Sequence, residues 1–375
     1  MTQQETLYMM ALTRVPNLSL ANLHVLVDEV GSATAIYENR HVLCQVLTAA
    51  SPATLAALAA MDTHLARAEQ EWAFCEKGRV ACLGIHDDAY PERLRHCADA
   101  PILLYYRGTA DLNCSHIVSM VGTRQITDYG KDLCRTFVRE LQAICPDVLV
   151  VSGLAYGVDI HCHRAALEAQ LPTVGVVAHG LEQIYPRYHR DTAVQMVGQG
   201  GLLTEYMSQT IIDKRNFVQR NRIVAGMADA TIVVESAAKG GSLITADIAQ
   251  SYDRQVWAFP GRTHDIYSAG CNKLIANNSA SLLTDAAAFC EAMGWADEQK
   301  RQQQLSQGVQ QELFAEYSPE EQRILKALAG ADNKQINILS VETNLPINVL
   351  SSHLFALEMK GAVEMLVGGR YKLCR

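Results

Sequence analysis

Three glycine-containing loops hold the residues of this 375-residue chain with the clearest potential for chemistry. Each loop follows a short β-rich run and precedes a helical pattern, so each presents free backbone N–H groups at the start of a helix, where anions bind. The residues concerned are Gly122, Thr123, Arg124, Ser152, Gly153, Gly240, Gly241 and Ser242. Small residues let the backbone approach a ligand closely, while hydroxyls and an arginine add donors. The pattern favours phosphate binding over a plain strand-to-helix turn with a solvated Arg124.

The segment KRNFVQRNRIVAG, which begins at Lys214, places cations on both sides of an apolar stripe. As a helix at about 100° per residue, it puts Phe217 and Arg220 together and Arg222 on nearly the opposite side. Asn221 lies between them. If the helix faces the same loops, Lys214 and the arginines neutralise phosphates, and Phe217 stacks on an unpaired base. Two alternatives stay open: Phe217 belongs to the core, or one of the two arginines forms a buried ion pair.

The loops meet at one rim if they follow parallel strands, because ligands of an open parallel sheet collect at the carboxyl ends of its strands. Another tight loop, carrying FPGR and GCNKLI, follows a later β-rich run. Three or four phosphate-sized sites on one rim predict an extended polyanion, and a stacking ring predicts a single-stranded nucleic acid. The net charge of −8 requires this site to be a local patch.

Other chemistries receive less support from the sequence. Asp159 is expected to have a capping or buried structural role, with an arginine as partner, in preference to acid catalysis. The HCH triplet at residues 161–163 points in different directions on a helix, so no metal site is expected. The eleven cysteines include no Cys-x-x-Cys pair and are expected to be reduced. The chain lacks the G-x-G-x-x-G dinucleotide fingerprint, and we expect no cofactor.

The elements that position these loops alternate between β-rich and helical patterns. The β-rich runs are HIVSMVG, VLVVSG, TVGVVAHG, GLLTEY, ATIVVES and QVWAFPG. Runs that are apolar on both faces are typical of a parallel sheet covered by helices, so we predict a doubly wound α/β domain at residues 76–292. Residues 1–75 are predicted to form a small helical domain, with RVPNLS as a turn between two helices.

The C-terminal region has a different pattern. Residues 293–316 are polar and glutamine-rich, which predicts a linker. Residues 317–375 open with Ser318 as a helix N-cap and Pro319 at the first helical position. Three short helices and a hairpin turning at Gly368 and Gly369 indicate a winged-helix-like domain. The predicted recognition helix, from Pro346 to Lys360, has few basic residues, so a protein contact or dimerisation is at least as favoured as DNA binding.

The segments VGTR, SGLAYGVDIHCHRAAL, FVQRNRIVAG, GGSLITA, FPG and GCNKLI, in this order, resemble the DNA-processing protein A (DprA or Smf) family of bacterial transformation proteins. The resemblance implies an extended Rossmann-like domain, with a mainly parallel sheet, between a small helical domain of SAM or helix-hairpin-helix type and a winged-helix-like domain. It further implies a homodimer that binds and protects single-stranded DNA and loads the RecA recombinase onto it, with no enzymatic activity.

Carried over by position, the resemblance makes Arg124 a phosphate contact and Lys214 and Phe217 further DNA contacts. The segments from Ser152 and from Gly240 become walls of the same pocket. Two positions depart from the family pattern, because Thr123 and Gly240 stand where serine is common. The RVPNLS turn lacks the Gly-x-Gly hairpin of a helix-hairpin-helix DNA binder, so direct DNA binding is not expected from residues 1–75.

The main rival is an enzyme that hydrolyses nucleoside monophosphates, since related Rossmann-like folds have this activity. Such hydrolases carry a Pro-Gly-Gly-x-Gly-Thr pattern, but this chain has Arg262 in place of the second glycine. Glu205 and Glu235, at strand ends, are candidate carboxylates with a structural role favoured for both. No run approaches the roughly 20 apolar residues of a membrane span, and the polar N-terminus is unlike a signal peptide. We expect a cytoplasmic location and no membrane contact.

Overall fold

The structure is a computed structural model that describes residues 1–48, 50–295, 317–329, 334–359, 362–366 and 370–373. The chain divides into two compact units, Met1–Glu298 and Gln299–Arg375. The predicted boundaries near residues 75 and 293 stay predictions. Most of the predicted linker at 293–316, and the hairpin turn at Gly368 and Gly369, lie outside the described residues.

The first unit begins with five α-helices: α1 (Gln3–Leu12), α2 (Leu20–Val30), α3 (Ala33–Glu38), α4 (Pro52–Ala59) and α5 (Leu65–Gly78). The Ser19 hydroxyl accepts a hydrogen bond from the Asn22 N–H and so caps α2. The predicted turn at RVPNLS is confirmed, since it lies between α1 and α2. Buried side chains of α1, including Met10 and Leu12, pack in the core of this unit.

A nine-stranded sheet follows these helices. Its strands are β1 (Ala81–Gly84), β2 (Leu103–Gly108), β3 (Ile117–Val121), β4 (Leu149–Ser152), β5 (Thr173–Val176), β6 (Gly201–Thr204), β7 (Ala230–Val233), β8 (Gln255–Ala258) and β9 (Ser281–Leu282). The spatial order is β1-β2-β6-β5-β4-β3-β7-β8-β9. The strands from β3 to β9 pair in parallel, while β2 pairs antiparallel with both β1 and β6. All six predicted runs are strands; β1, β2 and β9 were not predicted.

Helices cover both faces of this sheet. They are α6 (Glu92–Arg95), α7 (Asp128–Ile144), α8 (Val158–Glu168), α9 (Arg190–Gln199), α10 (Lys214–Gly226), α11 (Gly241–Ser251), α12 (Ala269–Ala276) and α13 (Ala286–Ala292). Successive strands from β3 to β6 proceed in one direction, and α10 then returns the chain to place β7 on the other side of β3. The order therefore reverses between β3 and β7, and such a switch point leaves a crevice at the carboxyl ends of the two strands. The predicted doubly wound fold is confirmed.

The second unit contains α14 (Pro319–Leu328), α15 (Ile336–Thr343) and α16 (Ile347–Met359). Its strands β10 (Lys334–Gln335), β11 (Val363–Leu366) and β12 (Arg370–Leu373) form a sheet in the order β10-β12-β11. The predicted N-cap is confirmed, because Ser318 and Glu321 form a capping box at α14. No lysine or arginine occurs on α16. Among the helices of the described ranges, none has the length and hydrophobicity needed to cross a bilayer.

Candidate nucleic-acid interface

A cleft of about 300 Å³ lies at the switch point of the sheet. The loops after β3 and β7, the turn before α8, and one side of α10 form its walls. Predicted site residues that line it are Gly122, Thr123, Arg124, Phe217, Arg220, Asn221, Gly240, Gly241 and Ser242. Four other predicted residues, Ser152, Gly153, Lys214 and Arg222, are not part of this lining. The structure therefore brings three separate sequence motifs together at one edge of the sheet.

The loop after β3 holds Arg124 at the mouth of the cleft. The Thr123 N–H donates to the Glu235 carbonyl oxygen at 2.7 Å, and the Val158 N–H donates to the Thr123 carbonyl oxygen at 3.1 Å. These bonds fix the loop between β7 and the start of α8. The Arg124 side chain is exposed, and its guanidinium carbon lies 5.7 Å from the centroid of the Phe217 ring. This geometry places a solvent-exposed cation over an aromatic face.

The N-terminus of α11 forms the opposite wall. Gly240 is the N-cap and supplies no side-chain acceptor, so the first N–H groups of α11 are available to a ligand. A side chain at Gly241 would meet no other atom within 4 Å, which shows that the space in front of this turn is open. The Ser242 hydroxyl donates to the Ser236 hydroxyl oxygen at 2.9 Å, so Ser242 contributes its backbone N–H to the cleft.

Residues of α10 supply an aromatic ring and an amide. Phe217 is half-buried and belongs to none of the apolar clusters of the core, which removes the alternative of a core aromatic. Its ring centroid lies 5.8 Å from that of Tyr185. Lys214 is exposed and begins α10; it shares a helix face with Phe217 and Asn221, which follow three and seven residues later. Lys214 is thus near the cleft mouth without lining it.

Arg220 places a buried cation in the wall of the cleft. Only 4% of the residue is exposed. One guanidinium nitrogen donates to the Gly153 carbonyl oxygen at 2.5 Å and to the Val176 carbonyl oxygen, while Nε has no hydrogen-bond partner in the part of the chain that is described. If residue 153 had a Cβ atom, it would lie 2.3 Å from this guanidinium. Only glycine at this position leaves room for the Arg220 side chain.

The charge of Arg220 is only partly compensated. Burial lowers the pKa of its guanidinium, and the nearby Asp159 carboxylate opposes that shift. Burial likewise raises the pKa of Asp159, against the effect of Arg220. Asp159 also accepts a hydrogen bond from the Ala155 N–H at 3.3 Å, so its expected structural role is supported. Because Arg220 donates to neutral carbonyl groups and forms no ion pair among the described residues, its charge attracts an anion.

The assignment of Arg222 to the same site is corrected by the structure. Its guanidinium forms an ion pair with Glu205 and donates to the Asp99 carbonyl oxygen. The two paired side chains are 8% and 15% exposed, and they line a different cavity, of about 620 Å³. The buried ion pair expected for one of the two arginines is therefore that of Arg222.

Ser152 requires a similar correction. It has no exposed surface, and its hydroxyl donates to the Met120 carbonyl oxygen at 2.6 Å. The hydroxyl is thus used to join neighbouring strands β3 and β4. Gly153 is better placed, since it lines a small depression next to the cleft.

The candidate carboxylates of a hydrolase have structural partners. Glu235 accepts hydrogen bonds from the Thr127 N–H at 2.9 Å and the Thr127 hydroxyl at 2.5 Å, at the start of α7. Glu205 is paired with Arg222. Within the described ranges, no group of three or more histidine, cysteine or acidic side chains has an arrangement that could hold a metal ion.

Sequence reasoning missed the aromatic residues beside the cleft. Tyr156 and Tyr185 line the small depression of about 50 Å³ together with Arg124 and Phe217. They come from the loops after β4 and β5, and their nearness to α10 depends on the folded sheet. The only signal in the sequence was the position of both tyrosines in loops after β-rich runs.

The fold and the site define a doubly wound α/β protein with a cleft at its switch point that is lined by arginines and by the start of α11. Residues 81–294 match the family model for DNA recombination-mediator protein A, and residues 310–369 match that for the DprA winged helix domain. The chain belongs to the DNA recombination-mediator protein A (DprA) family, as its sequence motifs predicted. Membership assigns it a role in DNA processing.

Individual relatives agree with this assignment. The DNA processing protein DprA of Bacillus subtilis is 36% identical over 212 residues, which cover 56% of this chain and 70% of the relative. The X-ray structure of DNA processing protein A from Streptococcus pneumoniae is 27% identical with a TM-score of 0.64, covering 76% of this chain and 96% of that one. A structure of the Helicobacter pylori protein that concerns its single-stranded DNA binding mode is 28% identical with a TM-score of 0.52, covering 57% and 95%.

Proposed function

We propose that this protein binds single-stranded DNA in the cleft between β3 and β7. The observation that carries the proposal is the combination of the half-buried Phe217 ring with the cations of Arg124 and Arg220 in one cavity. Single-strand binders combine a cationic groove with aromatic rings on which bases stack. A stacked base must expose its face, which a base inside a duplex does not do. The ligand is therefore an unpaired strand.

The backbone of the strand lies against α11 and Arg124. A phosphate at the N-terminus of α11 receives N–H donors from Gly241 and Ser242 and gains from the helix dipole. The buried guanidinium of Arg220 adds a fixed positive charge. These contacts do not depend on base identity, so the proposed binding is independent of sequence.

The protein acts as a binding protein without a catalytic step. The three acids considered as catalytic groups, Asp159, Glu205 and Glu235, are each engaged in hydrogen bonds or an ion pair that hold the fold. Of the three, Asp159 lines the cleft. The hydrolase alternative thus loses its candidate carboxylates. We further propose, from family membership, that the bound strand is delivered to the RecA recombinase by a cytoplasmic homodimer during transformation or recombination.

Site variants test the proposed cleft by fluorescence anisotropy of a labelled thymine oligonucleotide. Arg124→Ala should reduce the slope of log affinity against log salt by about 0.7, since one phosphate contact is lost. Phe217→Ala should cost about 1–3 kcal/mol of binding free energy with no change of slope, because stacking releases no counterions. Arg139, which is exposed on α7 and does not line the cleft, provides the matched alanine control.

Wild-type affinity in both cleft variants would contradict the proposed site. RecA delivery is tested separately, by the rate at which RecA filaments form on a strand already covered by a single-strand-binding protein. The wild-type protein should raise this rate and Phe217→Ala should raise it less. If the wild-type protein and Phe217→Ala raise the rate equally, RecA delivery does not depend on DNA binding in the cleft.

A further inference from the structure

We propose that three exposed tyrosines beside the cleft, Tyr156, Tyr185 and Tyr188, form a second base-stacking subsite. We call this surface the tyrosine ledge. The inference rests on the proposed function, because it extends the path of the same single strand beyond the cleft. Its ligands are unpaired nucleobases of any identity, with their phosphates on adjacent arginines.

The ledge is continuous with the cleft. Arg124 and Phe217 line the cleft and also line the small depression that contains Tyr156 and Tyr185. The rings of Phe217 and Tyr185 have centroids 5.8 Å apart, with an angle of 58° between their planes. A strand whose base contacts Phe217 therefore meets Tyr185 as the next aromatic surface along the same rim.

The three tyrosine side chains are largely exposed to solvent. Tyr156 is 45% exposed, Tyr185 47% and Tyr188 87%. Aromatic rings in folded proteins normally bury a large apolar area. The faces of these three rings, on neighbouring loops, are instead open to solvent and available for stacking. A base placed on them would cover that surface.

The backbone that carries the rings is held in place. The Tyr185 N–H donates to Nε2 of His179 at 3.2 Å. Tyr188 lies in a 3₁₀ turn, Arg187–His189, and Nδ1 of His189 donates to the Leu154 carbonyl oxygen at 2.8 Å. The His189 ring in turn packs edge-on against Tyr156, with centroids 5.0 Å apart. A fixed platform loses little conformational entropy when a base binds.

Cations flank the ledge. Arg187 and Arg190 are exposed on either side of Tyr188, and neither forms an ion pair within the described part of the chain. In the preceding loop, Glu182 accepts a hydrogen bond from the Gln209 N–H at 2.9 Å, and Asp191, which follows Arg190, is exposed. Rings that alternate with free arginines suit a chain in which bases alternate with phosphates. A protein-docking surface would instead present a contiguous apolar patch.

Oligonucleotide length separates the ledge from the cleft. We would compare thymine oligonucleotides of about 6 and about 15 nucleotides, within the roughly 4–16 nucleotides that single-strand sites occupy. Tyr185→Ala with Tyr188→Ala should weaken binding of the longer oligonucleotide by about tenfold and leave the shorter within about twofold. Tyr185→Phe with Tyr188→Phe should bind both like the wild type, because the rings remain.

Each outcome decides the inference. The ledge is refuted if the double alanine variant binds the longer oligonucleotide with wild-type affinity. It is also refuted if the double phenylalanine variant loses as much affinity for that oligonucleotide as the double alanine variant does. Tyr188→Ala alone gives the same test at a residue so exposed that its loss does not threaten folding. If the wild-type protein binds neither oligonucleotide, the proposed function fails and the ledge fails with it. If it binds both and the tyrosine variants match it, only the ledge is refuted.

Discussion

Replacing Arg222 by methionine should destabilise the first unit without weakening DNA binding. Arg222 is the ion-pair partner of Glu205, and both side chains are largely buried. Burial already raises the pKa of Glu205, and the charge of Arg222 opposes that shift. Removal of one partner of a buried pair leaves an uncompensated charge and typically costs about 3–5 kcal/mol. We expect a loss of this size in the free energy of unfolding.

Urea denaturation followed by circular dichroism measures the effect. With a slope of about 1–3 kcal/mol per molar urea, the midpoint should fall by roughly 1 M or more. The double variant Arg222→Met with Glu205→Leu should recover most of the loss, because apolar replacement of a whole buried pair is often neutral. Oligonucleotide affinity, measured where the variant is folded, should stay within about twofold of the wild type.

The opposite pattern would refute the reasoning. An Arg222→Met variant with an unchanged midpoint and a reduced salt slope would make Arg222 a phosphate contact. A double variant no more stable than the single one would show that the lost stability does not come from the Glu205 charge.

Three further perturbations follow from the geometry of the site. Gly157→Ala should destabilise by about 1–3 kcal/mol in thermal denaturation, because φ is +78° and the new Cβ would lie 2.1 Å from the Thr123 carbonyl oxygen. Gly241→Asp fits the open space sterically but places a negative charge in the first turn of α11, where the proposed phosphate binds. Oligonucleotide affinity should therefore fall in anisotropy while the melting temperature is retained. Burial lowers the pKa of His163 to about 3 in the folded protein, against about 6.5 in the unfolded chain. The folded state therefore has its full stability from this group above about pH 6.5. That contribution is lost as pH falls from 6.5 towards 3, because the unfolded chain takes up the proton first. His163→Gln should flatten the pH dependence of the unfolding free energy in that window.

The strands of the central sheet were predictable because parallel core strands are apolar on both faces. Val118 and Ile232, on neighbouring strands, have no exposed surface and belong to such runs. By contrast, β1 has four residues, and its strand conformation depends on pairing with Leu103–Tyr106, about twenty residues later in the chain. β9 has two exposed residues and no apolar pattern of its own. The conformation of such short strands is determined by pairing with segments that are distant in the sequence.

The candidate site was predictable where glycine and hydroxyl residues mark the loops, as at Gly122 and Gly240. The helical pattern of α10 predicted that Arg220 and Arg222 point to different sides of the helix, but it could not predict their partners. Arg222 pairs with Glu205, and Arg220 donates to the carbonyl groups of Gly153 and Val176. Other elements of the fold supply all of these partners. The roles of neighbouring arginines are therefore set by tertiary contacts.

The most direct test of the central claim is an anisotropy titration of a labelled thymine oligonucleotide with the wild-type protein at several salt concentrations. Unlabelled single strand and matched duplex serve as competitors. We expect tight, salt-sensitive binding that the single strand displaces and the duplex displaces poorly. Binding absent in the micromolar range, or displaced equally by duplex, would contradict a cleft built for unpaired bases.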